Sequence, residues 1–99
     1  MVRHVVMFRW EPEVDEAHIG TVATALDAMV PQIPSIRAYT HGRDLGVNIG
    51  NHDYVVVADF DDVDGYLAYR DHPVHTQLIA EHIAGRVAER AALQFEIGG

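Results

Sequence analysis

Residues 2–10, Val-Arg-His-Val-Val-Met-Phe-Arg-Trp, alternate on a period of two, the mark of a β-strand. Val2, His4, Val6, Phe8 and Trp10 share one face, and Arg3, Val5, Met7 and Arg9 the other. Residues 53–60 repeat the design. Tyr54, Val56, Ala58 and Phe60 lie on one face, with Asp53, Val55, Val57 and Asp59 opposite. Both strands carry charge at the ends and aliphatics in the middle of one face. Antiparallel pairing in one register sets Val5 against Val57, Met7 against Val55, Arg3 against Asp59 and Arg9 against Asp53. A one-residue slip would turn every side chain over.

The remaining elements fall around these two. Glu11-Pro12-Glu13 breaks the first strand, and Asp15 is the N-cap expected for a helix. Ile19, Val22, Ala23, Leu26, Met29, Val30 and Ile33 form its apolar stripe, closed by Pro31 and Pro34. A second strand is expected over residues 36–41, ended by Gly42, then an irregular loop over 44–52. Asp61 or Asp62 caps a short helix through Arg70, interrupted at His72-Pro73. Pro73 opens another helix, whose inner face includes Leu78, Ile79, His82 and Ile83. Leu93, Phe95 and Ile97 alternate in a closing strand.

The order β-α-β-β-α-α-β predicts a ferredoxin-like α+β fold, a four-stranded antiparallel sheet with helices on one face. Ninety-nine residues without linker or repeat are one domain, 1–99. No helix is left to cover the opposite face, whose centre is Val5, Met7, Val55 and Val57. Such a patch marks an interface, and the expected partner is a second copy of the chain.

Composition narrows the function. Fifteen acidic groups against seven basic ones give a formal charge of −8, a field that repels nucleic-acid phosphates and anionic lipid. Every basic residue is Arg, which removes Schiff-base lysine chemistry and a P-loop lysine. The absence of cysteine removes disulfides, thiolate metal sites and a Cys nucleophile. Apolar runs are far short of the roughly 20 residues that span a bilayer. The opening residues read as a strand rather than a signal peptide, implying a soluble, cytoplasmic protein. Seven histidines invite a metal, but His72, His75 and His82 follow no metal-ligand spacing and none is expected. Ser35 is the single serine and has no nucleophile elbow around it.

Several segments together resemble the stress-responsive A/B barrel (Dabb) family: the His-Val-Val-Met-Phe-Arg strand, Ile33-Pro34, Tyr39-Thr40-His41-Gly42-Arg43-Asp44, Asp53-Tyr54 and above all Tyr69-Arg70-Asp71-His72-Pro73-Val74-His75. The resemblance spans nearly the whole chain. It implies a dimeric α+β barrel, two protomers joined sheet to sheet. Through the family's olivetolic acid cyclase-type polyketide cyclases it also implies Tyr69 and His75 as a catalytic pair, with His4 lining the pocket. The pocket aromatics those cyclases carry on the first helix are replaced here by Val22, Ala23 and Leu26.

A pocket is expected between the helices and the sheet, lined by His4, Val6, Phe8, Tyr54 and Val56, with Leu26 and Leu78 from the helices. A neutral imidazole removes a proton flanked by carbonyls near pH 7, and a phenol holds the resulting enolate oxygen. A cofactor-free cyclase or lyase acting on an apolar keto-containing ligand is one reading. In the other the barrel is a non-catalytic stress-responsive or assembly protein whose rings fill the interior.

Overall fold

In the computed structural model, which describes residues 1–98, the alternation of residues 2–10 becomes strand β1 (Val2–Trp10). Its Val2, His4, Val6, Phe8 and Trp10 are buried. Helix α1 (Glu16–Met29) starts where Asp15 accepts the His18 amide at 2.9 Å, a cap that stabilises by about 1 kcal/mol. Val22, Leu26 and Met29 are its buried positions. The stripe continues into a single 3-10 turn, Val30–Gln32, with Pro31 in its first turn, and Ile33 is buried beyond it.

Strand β2 is Ala38–Arg43, two residues later than the apolar pattern suggests. Ile36 closes a turn onto the Ile33 carbonyl, and sheet bonding begins with the Arg37 amide on Asp59. Gly42 does not end the strand, because it pairs with Val55 and Arg43 pairs with Tyr54. Strand β3 (Tyr54–Phe60) follows the long loop. Helix α2 (Val63–Asp71) is capped by Asp62, which accepts the Gly65 amide at 2.8 Å, and α3 (Pro73–Leu78) follows at once. The helix expected to run on through His82 and Ile83 widens into a π-type turn, Ile79–Ile83, closed by the Ala84 amide on the Ile79 carbonyl. Gly85 reverses the chain at φ +78°, a conformation that suits glycine. Strand β4 (Val87–Glu96) completes the sheet in the order β2-β3-β1-β4.

The β1–β3 register pairs Val5 with Val57, Met7 with Val55 and Arg3 with Asp59, as read from the alternation. The Arg3 guanidinium holds the Asp59 carboxylate through two bonds of 2.7 and 2.9 Å. The expected Arg9–Asp53 pair is not made. Arg9 binds Glu89 of β4 at 2.9 Å, while the Asp53 carboxylate accepts the Trp10 amide at 2.9 Å. The β1–β3 ladder ends one step earlier, at Phe8–Tyr54, so the two never meet across it.

The helices pack on the face carrying Val6, Phe8, Val56 and Phe60. On the other face, β4 sets Leu93 beside Val5 and Phe95 beside Arg3. Leu93 and Phe95 are 57% and 45% exposed, so the uncovered apolar surface extends well beyond Val5, Met7, Val55 and Val57. Among the described residues no helix is long and apolar enough to cross a membrane.

Candidate functional site

Proline disfavours the helical conformation in the residue before it, and His72 is extended, at φ −64°, ψ 134°. The His72 ring caps α3 itself, its Nδ1 accepting the Val74 amide at 3.1 Å. In an unbroken helix, side chains six residues apart would stand roughly 120° apart around the axis and about 9 Å along it. The break instead brings the Tyr69 and His75 rings to a centroid separation of 4.2 Å.

Hydrogen bonding fixes the proton positions. His75 Nδ1 lies 3.0 Å from the Arg70 carbonyl oxygen, which can only accept. The proton therefore sits on Nδ1, and Nε2 carries the lone pair. Burial lowers the His75 pKa below the ordinary histidine value, against the opposing pull of the Arg70 carbonyl and Asp71. His4 has the reverse tautomer. Its Nδ1 accepts from the Gln94 amide nitrogen at 2.9 Å, leaving Nε2–H as a donor. Burial, then the charge of Arg90, lowers its pKa to about 4, so the ring is neutral at pH 7.

Tyr69 and Tyr39 lie hydroxyl to hydroxyl at 3.0 Å. Burial raises both pKa values above the ordinary phenol value, so both remain protonated through neutral pH. A hydrogen bond donated by Tyr39 leaves the Tyr69 proton free for another acceptor. Tyr69 also packs on Phe60, with ring centroids 5.2 Å apart.

These groups border a cavity of about 270 Å³ between the sheet and the helices. Tyr69, His75, His4, Val6, Phe8, Val56, Leu26 and Leu78 all line it. Tyr54 does not. Its hydroxyl lies 2.7 Å from His41 Nδ1, and His41 Nε2 binds the Asp27 carboxylate at 2.7 Å, so this ring ties α1 to the sheet. Sequence reasoning missed Tyr39, Tyr66, Arg70 and Arg90 on the cavity wall. Tyr39 was findable, since β2 sets it opposite Ala58 on the inner face. Arg90 was not: alternation in β4 puts it opposite to Leu93, but only the pairing with β1 turns it to the inner face, level with Phe8. Among the described residues, no three His, Asp or Glu side chains converge as metal ligands would.

Residues 2–97 match the sequence model of the Stress responsive A/B Barrel Domain. The chain belongs to this family. Among solved structures, this Dabb domain is similar to a dimeric ferredoxin-like protein of unknown function from Thermobifida fusca. The two are 43% identical over 97% of this chain and 90% of that one, with a TM-score of 0.91. A hydroxynitrile lyase from Passiflora edulis shares the fold at 18% identity, covering 98% and 93% of the two chains, with a TM-score of 0.85. An antibiotic biosynthesis monooxygenase shares it at 17% identity over the whole of both chains, with a TM-score of 0.74. No curated protein matches the Dabb domain in sequence.

Proposed function

We propose that this Dabb domain is a homodimeric barrel in which each protomer binds a small apolar keto-containing ligand, and that Tyr69 and His75 act on it as an acid–base pair without a cofactor. The cavity of about 270 Å³ carries this reading, because Tyr69 and His75 both border it. A barrel serving assembly alone has no need of an open chamber beside a neutral imidazole.

The reaction follows from the proton positions. His75 Nε2 removes a proton from carbon beside a carbonyl, and the electron pair moves onto the carbonyl oxygen. The Tyr69 hydroxyl donates to that enolate oxygen, with the His4 Nε2–H as a second donor at the same wall. The enolate carbon attacks a second carbonyl, forming a carbon–carbon bond, and the alkoxide produced takes the proton back from the His75 imidazolium. Run in reverse, the same groups cleave such a bond. A protein of this fold, from Passiflora edulis, is described as a hydroxynitrile lyase.

Dimerisation is read from the uncovered sheet face of Val5, Met7, Val55 and Val57, extended by Leu93 and Phe95. The 43% identical relative is described as dimeric.

The experiment compares wild type, Tyr69→Phe and His75→Ala for thermal shift with 2-octanone and for exchange of its α-protons in deuterated water. Wild type should bind the ketone and accelerate exchange. Both variants should bind it but lose most of the acceleration, on the order of 100-fold or more. Equal exchange in all three proteins would remove the pair from the mechanism.

A further inference from the structure

Seven arginines serve a chain with fifteen carboxylates, and six of them are engaged. Arg3, Arg9, Arg37, Arg43 and Arg70 each hold a carboxylate, and Arg86 binds the Glu81 carbonyl. Arg90 has neither a hydrogen bond nor an ion pair among the described residues. It is exposed, yet its side chain borders the cavity at the level of Phe8, on the wall shared with His4 and Tyr69. In a protein of net charge −8, a guanidinium without a carboxylate beside an apolar chamber is a ready anion site.

From this placement we infer that Arg90 anchors a carboxylate on the ligand, whose apolar remainder enters the cavity. The inference rests on the chamber being a ligand site, and it narrows the ligand to an amphipathic acid. A planar guanidinium matches a carboxylate through two parallel N–H···O bonds. The surroundings favour a single negative charge over a phosphate's two. Arg70, the other cation at the wall, is already bound by Asp71 through bonds of 2.8 and 3.1 Å. The size agrees as well. A chamber of about 270 Å³ has room for a short acyl chain with its head at the rim. The nearness of Arg90 is already felt inside, since its charge helps to keep His4 neutral.

Calorimetric titration of the full chain with octanoate, octanamide and octyl phosphate tests this, using wild type, Arg90→Gln and Arg90→Lys. Octanoate should bind wild type roughly tenfold tighter than octanamide at low salt, and added salt should narrow the gap. Arg90→Gln should abolish the preference and leave octanamide affinity unchanged, while Arg90→Lys retains part of it. Equal binding of acid and amide by wild type, with Arg90→Gln altering neither, overturns the anchor and leaves the chamber standing. Octyl phosphate binding more tightly than octanoate overturns the carboxylate in favour of a phosphate. Wild type binding none of the three overturns the chamber itself, and the anchor with it.

Discussion

The Nδ1–H of His75 points at the carbonyl oxygen of Arg70, 3.0 Å away across the joint between α2 and α3. The backbone of one helix thereby sets the basic nitrogen of the next. The base form is also favoured by burial, which lowers the pKa below 6.5. Ketone α-proton exchange should therefore rise with a single ionisation below pH 6.5 and stay level through neutrality. The Tyr69 phenol, raised above 10, should not end the plateau before that value. A pH–rate profile checks this, and a rise centred above pH 7 would contradict it.

His4 gives the acid limb of stability. Its pKa falls from 6.5 to about 4 on folding, so the unfolded chain binds more protons between those values. Its contribution is complete above pH 6.5 and is lost as pH drops towards 4. The loss should be on the order of 2 kcal/mol, below the full value of the shift because solvent at the rim relaxes the charge. His4→Leu should flatten this part of the acid dependence in urea melts, leaving the smaller share of His75. An unchanged dependence would mean that His4 is charged or solvated in the fold.

Tyr39→Phe removes the partner of the Tyr69 hydroxyl and leaves its ring packing in place. A loss of about 1 kcal/mol in stability is expected. The distinctive readout is kinetic. Exchange should fall in kcat with little change in ketone affinity, because the phenol proton loses its direction. A change confined to thermal stability would assign the Tyr39–Tyr69 bond to structure alone.

Val57→Asp puts a charge at the centre of the uncovered sheet face, opposite Val5. Sedimentation should then give half the native mass. Thr24→Asp, on the exposed side of α1, should leave the mass unchanged. Both variants sedimenting alike would move the dimer contact elsewhere.

The sequence disclosed most where two strands constrained each other. β1 and β3 are apolar on both faces and charged at their ends, so one register satisfies the alternation and the Arg3–Asp59 pair together. It disclosed less at the edges. Ile36 looks like a strand residue but lies in a turn, since β2 takes its start from its bonding to β3 rather than from its own apolar content. The exposed side chains of β4 gave no sign of which face Leu93 takes, because that depends on pairing with a strand some ninety residues away. At the cavity, the aliphatic wall, Tyr69 and His75 were legible from alternation and from the resemblance. Tyr54 was misplaced because sharing a face does not mean sharing a space. The Asp27–His41–Tyr54 chain ties that ring to α1 and β2 instead.

The two-residue knuckle at His72-Pro73 separates what the barrel is from what it does. The sheet and α1 hold the architecture, while the meeting of phenol and imidazole depends on how two short rods abut. One residue inserted between positions 69 and 75 would leave a folded shell and silence the pair. Within such a framework, reactivity can be gained, altered or erased by editing a joint, with the scaffold inherited intact.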